Sequence, residues 1–207
     1  MDENLNVSDF NRSVRNAYLQ MAAEAIALAK EIGAPLINMH FAKGIYLTLP
    51  GRKVYLFEEY PKHILDCLGE FRSLCQRAIG KDRILMSIEN TSGFTPFEQK
   101  AIEFLLKSPC FGLTLDIGHS HAAGNVDLPF FSAHANRLLH MHLHDAKGKN
   151  NHLAFGDGEM DLPHFIAVGQ NAGARGVLET KTGEALRRST AWLAELSPCK
   201  ERPKRIQ

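Results

Sequence analysis

The chain has 207 residues, a formal net charge of +1, 44% hydrophobic and 23% charged content, which describes a globular protein with enough chain for one sizeable core. Disordered and collagen-like classes are excluded, and no apolar run approaches the roughly 18 residues a membrane span needs. The polar, acidic opening MDENLNVSDF does not read as a secretory leader, so a cytoplasmic location is the default expectation and no membrane partner is expected. A charge near zero supplies no global field for a polyanion, which disfavours nucleic acid as a partner.

In chain order, Val14, Leu19, Ala22, Ile26 and Ala29 recur at helical steps and predict a helix over 12–33, stopped by Gly33. Residues 35–40 (PLINMH) read as a buried strand ending in a polar side chain. Two strand-like runs around Pro50-Gly51 predict a hairpin inserted over 46–60, serving as a lid or a subunit contact. The pattern then repeats: helix 61–79 and strand 83–89, helix 96–107 and strand 111–116, helix 128–135 and strand 137–143. A helix over 162–171, a strand over 175–179 and a closing helix over 183–196 complete a single domain, with 198–207 as a solvated tail. Strands that alternate with helices and are nearly continuously apolar predict a parallel sheet covered by helices.

All five strands end in a ligand-type side chain: His40, Glu89, Asp116, His142 and Glu179. One such residue is usually a helix cap or a packed histidine, but five at the same end of successive strands argue together. Period-two alternation lets each face a barrel interior, so they would meet at the mouth where (β/α)₈ sites are built. An open doubly wound sheet would unite only the strands at its switch point and would want a glycine-rich loop after its first strand. Carboxylates with imidazole suit manganese, magnesium, cobalt or zinc. The cysteines Cys67, Cys75, Cys110 and Cys199 form no CxxC pair and read as reduced thiols. Seven of the ten histidines, His119, His121, His134, His140, His142, His144 and His152, lie within 119–152. His140 shares parity with His142 one step deeper and reads as a packed core residue, while His144 sits beyond the strand edge. Lys147, Lys149 and Arg137 read as a solvated basic group rather than a phosphate site.

The segments INMH (37–40), IENTSG (88–93), LDIGHSHAAGNVDL (115–128), MHLHDAKG (141–148), NHLAFGDGEMDL (151–162) and VLET (177–180) together resemble the xylose-isomerase-like barrel superfamily. That superfamily includes sugar isomerases and epimerases, hydroxypyruvate isomerase, the inosose enzymes and endonuclease IV. The resemblance implies an α/β fold of the (β/α)₈ TIM-barrel type and a metal set of Glu89, Asp116, His142 and Glu179 around one divalent cation. His119 matches the family's D-x-x-H and would face substrate or a second metal. His40 and His152 match positions that complete a zinc cluster in endonuclease IV, so more than one zinc is an open expectation.

The implied activity is isomerisation or epimerisation of a sugar or sugar phosphate, with a small-molecule sugar as partner. A proton leaves a carbon beside a carbonyl and returns elsewhere, and a metal holding adjacent oxygens stabilises the enediolate. Glu89 and Glu179 are the expected catalytic base and acid, with Asp116 and His142 fixing metal geometry. The spare ring nitrogen of His142 would be oriented by an acceptor that the sequence does not identify.

The alternative is a zinc-dependent AP endonuclease of the endonuclease IV type. Three departures weigh against it: Asn150 stands where that enzyme has an aspartate, D-I-G-H (116–119) replaces its D-x-C-H, and its DNA-inserting loops have no counterpart. A catalytically silent, truncated barrel is the third reading. At ~250 residues for a typical barrel, five strands correspond by resemblance to the last five of eight, with about three N-terminal units absent. Such a sheet exposes two edges and is expected to self-associate as a homo-oligomer.

Overall fold

The computed structural model of the protein describes residues 6–196; the tail at 198–207 and Cys199 lie outside the described residues. The elements are α1 (Arg12–Ile32), β1 (Leu36–His40), β2 (Tyr46–Leu49), β3 (Arg52–Tyr55), α2 (Leu56–Glu59), α3 (Pro61–Ile79), β4 (Leu85–Glu89), α4 (Pro96–Leu106) and β5 (Phe111–Asp116). They continue with α5 (Ile117–Ala122), α6 (Leu128–Ala133), β6 (Leu138–Leu143), β7 (Asp145–Lys147), β8 (Asn150–Leu153), α7 (Leu162–Ala172), β9 (Arg175–Leu178) and α8 (Gly183–Leu196).

Five parallel strands run in the order β1-β4-β5-β6-β9, each strand–helix unit adding its strand beside the last. The result is a half-barrel, built on the parallel sheet that the alternation of elements predicts. Register decides what each face carries: His40 lies opposite Glu89, Asp116 opposite His142, and His142 opposite Val177, two residues before Glu179. Partners in register share a face, so the polar strand ends gather on the concave side.

The convex side is the core. Ile37, Met39, Met86, Ile88, Leu113, Leu115 and Met141 are buried there beneath the helices. Each such side chain contributes about 1.5–3 kcal/mol of transfer free energy. On α3 the buried Ile64, Leu68, Phe71, Cys75 and Ile79 follow helical spacing, and α1 turns Ala22, Ile26 and Ala29 inward. Asn11 caps α1 through the amides of Ser13 and Val14, and a Thr95–Glu98 capping box starts α4. None of the described helices is long and apolar enough to cross a membrane.

Three segments depart from the sequence reading. The run after Tyr55 becomes the short helix α2, whose buried Phe57 anchors the β2–β3 hairpin. The base of that hairpin lines the cavity at the strand ends, while Ile45, Tyr46, Leu47 and Leu49 stand exposed. Residues 145–153, unassigned from sequence, form the antiparallel pair β7–β8. Arg137 is neither in the strand nor solvated: its guanidinium donates to the carbonyls of Leu106, Ser108 and Phe111, tying the entry of β6 to the end of α4.

Candidate metal centre

Glu89, Asp116, His142 and Glu179 offer ligand atoms that all lie within 4.8 Å of one another. They come from the ends of β4, β5 and β6 and from the residue after β9, so the register of the sheet assembles them. His142 Nδ1 is 3.0 Å from Glu89 Oε1, 2.9 Å from Glu179 Oε2 and 3.8 Å from Asp116 Oδ2. One ring proton serves one of these oxygens at a time. Glu179 Oε2 is shielded from water and lacks a hydrogen bond of good geometry. Three carboxylates around one imidazole nitrogen form an anionic nest that a single proton underfills and a divalent cation satisfies.

Titration reflects the same crowding. Burial opposes ionisation of Glu89, but hydrogen bonds from His142 and His40 outweigh it and hold the carboxyl well below its ordinary range. Burial likewise opposes charge on His142, yet Glu179 and Glu89 push it up to about 10. His142 beside Glu179 lowers the latter's pKa, with burial offsetting part of the effect.

Neighbouring side chains fix the carboxylates. Glu89 Oε2 accepts from Asn38 Nδ2 and lies 3.3 Å from His40 Nε2, so His40 is placed as a partner of Glu89. Asn90 clamps β4 to β5: its Oδ1 accepts the Asp116 amide at 2.8 Å and its Nδ2 donates to the Asp116 carbonyl at 3.0 Å. Asp116 Oδ1 caps α5 by accepting the backbone amide of His119, three residues on, at 2.7 Å. His119 Nδ1 then donates to the Asn90 carbonyl at 3.1 Å, leaving Nε2 as its other ring donor or acceptor. His119 and His40 line a cavity of about 660 Å³ together with Asn6, Asp9, Tyr18, Lys43 and Thr91.

His152 is reached by a less regular route. Its backbone is left-handed, with φ 58°. The buried Asp145 carboxylate accepts the amides of Ala146, Gly156, Gly158 and Met160 at 2.8, 3.0, 2.9 and 3.2 Å and so shapes the loop beyond β8. His152 Nδ1 donates to the Glu179 carbonyl at 3.1 Å, and its ring stacks on His144 at 4.2 Å. Burial and then the His144 ring lower the His152 pKa. His140 is buried as its parity predicts, edge-on to His142 at 5.0 Å, and burial pushes its pKa down.

The residue that the sequence reading passes over is His144. It is fully buried, with Nε2 3.0 Å from Asp116 Oδ1 and 3.1 Å from Oδ2. Its parity with His142 was the available signal. Among the described residues no acceptor is hydrogen-bonded to His142 Nε2, so the expected orienting contact falls on Asp116 instead.

Residues 2–196 match the family model described as a xylose isomerase-like TIM barrel. The chain is 28% identical over 186 residues to MJ1311, an uncharacterized protein of Methanocaldococcus jannaschii, covering 84% of this chain and 59% of that protein. Among solved structures, a D-tagatose 3-epimerase-like protein superposes with a TM-score of 0.71 at 23% identity, covering 94% of this chain and 73% of its own. The IOLI protein, solved with a bound zinc atom, gives a TM-score of 0.68 at 13% identity, covering 92% and 72%. The match over nearly the whole chain and the parallel half-barrel agree: the chain belongs to the xylose isomerase-like TIM barrel family.

Proposed function

We propose that the site serves a divalent-metal-dependent isomerase or epimerase acting on a small sugar or sugar phosphate. The observation that carries this reading is the group of three carboxylates facing His142 Nδ1 at the strand ends. The likeness to a D-tagatose 3-epimerase-like protein supports the substrate class, and the zinc atom of the IOLI protein supports the metal.

Glu89, Asp116, His142 and Glu179 would hold the cation. When bound, it supplies Lewis-acid polarisation of adjacent substrate oxygens. The chain's own residues handle the proton. Glu89 is pinned by Asn38 and His40, which fixes one carboxylate at a defined place and keeps it ionised as a base. Glu179, with 43% of its side chain exposed, stands on the more open side of the site and suits proton exchange on the other side of a substrate. His119 and His40, lining the cavity, offer hydrogen bonds to sugar hydroxyls. The cavity is polar and of small-molecule size, as a sugar requires.

Position 150 weighs against the hydrolase reading. Asn150 begins β8 in an exposed position, paired across the hairpin with Lys147, and brings no carboxylate toward His152. Manganese, cobalt or zinc binding followed by a ketose panel tests the proposal. Glu89→Gln and Glu179→Gln are each expected to lose roughly 10²- to 10⁴-fold in turnover. Wild-type protein that binds no divalent metal, or metal-loaded protein that converts no ketose yet cleaves abasic-site DNA, would overturn it.

A further inference from the structure

We propose that His144 is a positioning residue for the metal site: an Nε2–H imidazole that orients the Asp116 carboxylate and ties it to the backbone of His152. The inference rests on the metal reading above and deepens it.

The His152 amide donates to His144 Nδ1 at 2.8 Å, which leaves that nitrogen only an acceptor's role and places the ring proton on Nε2. The proton then points between the two Asp116 oxygens, at 3.0 and 3.1 Å. His144 and Asp116 are both fully buried, so the bond between them does not compete with water. The Asp145 carbonyl, 3.3 Å from His144 Nδ1, is the acceptor that the opposite tautomer would use.

Space for the ring comes from Gly118. A Cβ there would collide with His144 Cε1 and Nδ1, so glycine at the third position of D-I-G-H is a consequence of histidine at 144. The left-handed backbone at His152, uncommon for a residue with a Cβ, is part of the same device because it presents the amide that fixes the tautomer. Partners of this kind are worth about 10- to 100-fold in metal affinity.

Long-range ¹H–¹⁵N correlation of the histidine rings in metal-free protein tests the tautomer without reference to any activity. A pyrrole-type Nε2 and a pyridine-type Nδ1 at His144 are expected; a proton on Nδ1 overturns the proposal. Cobalt titration by calorimetry tests the consequence. His144→Phe and Gly118→Ala are expected to bind cobalt about 10- to 100-fold more weakly, with His144→Gln recovering part of the loss. Wild-type affinity in both His144→Phe and Gly118→Ala refutes positioning. If Asp116→Asn also binds as the wild type does, the metal reading itself fails, and the ring correlation still decides the tautomer.

Discussion

His142 Nδ1 and Glu179 Oε2 lie 2.9 Å apart at the ends of neighbouring strands, with Glu89 and Asp116 completing the anionic side of the same nitrogen. In the metal-free protein a proton holds this cluster together. A cation bound by His142 must therefore displace it, and that exchange has a measurable consequence.

Because His142 is raised to about 10, cation binding releases close to one proton at pH 7–9. The affinity for cobalt or zinc is expected to rise about tenfold per pH unit across that interval. Calorimetry in buffers of differing ionisation enthalpy reads the proton count directly. A pH-independent affinity with no proton release would show that His142 is not displaced from its proton and is not a ligand.

Stability of the metal-free chain depends on pH through the same residues. His142, raised above its ordinary 6.5, contributes stability present below pH 6.5 and lost as the pH climbs toward 10. His140 and His152, both lowered, contribute the opposite dependence, so stability falls as pH drops below 6.5. Glu89 and Glu179, both depressed, add a further loss below their ordinary 4.5. The site thus predicts a maximum near pH 6.5, with a decline above it of up to about 1.4 kcal/mol per pH unit. Urea midpoints at pH 5, 6.5 and 8.5 check this, and a midpoint that rises from 6.5 to 8.5 contradicts it.

Asp145 organises the loop that follows β8, just beyond His152. Replacing it with alanine strands four amide donors that now share one buried carboxylate, and a loss of at least about 3 kcal/mol is expected. Asp145→Asn keeps one acceptor oxygen and is expected to cost less. Equal urea midpoints for Asp145→Ala and the wild type would show that the loop does not depend on this carboxylate.

Much of this architecture is legible from sequence for a definite reason. Parallel strands buried on their convex side leave one alternating set for the concave side, so parity together with position at the strand end selects Glu89, Asp116 and His142. The same logic fails where no period exists. Helix α5 is six residues long, and its start is set by the Asp116 cap rather than by any apolar stripe. The strands β7 and β8 are three and four residues of mostly polar text, joined through Gly148, and no alternation marks them. His144 lies past the end of β6, where parity no longer fixes direction; the His152 amide and the space at Gly118 determine where its ring goes. Asn38 and Asn90 escape notice because their partners, Glu89 and Asp116, are 51 and 26 residues away in sequence.

Proton transfer at carbon by the carboxylates of this site is read by solvent exchange. Metal-loaded protein is incubated in D₂O with each member of a ketose panel, and deuterium at the carbon beside the carbonyl is followed by NMR. The proposed proton transfer requires metal-dependent incorporation for at least one ketose, reduced by roughly 10²-fold or more in Glu89→Gln and in Glu179→Gln. Absence of exchange with every ketose, in protein shown to hold its metal, would contradict it.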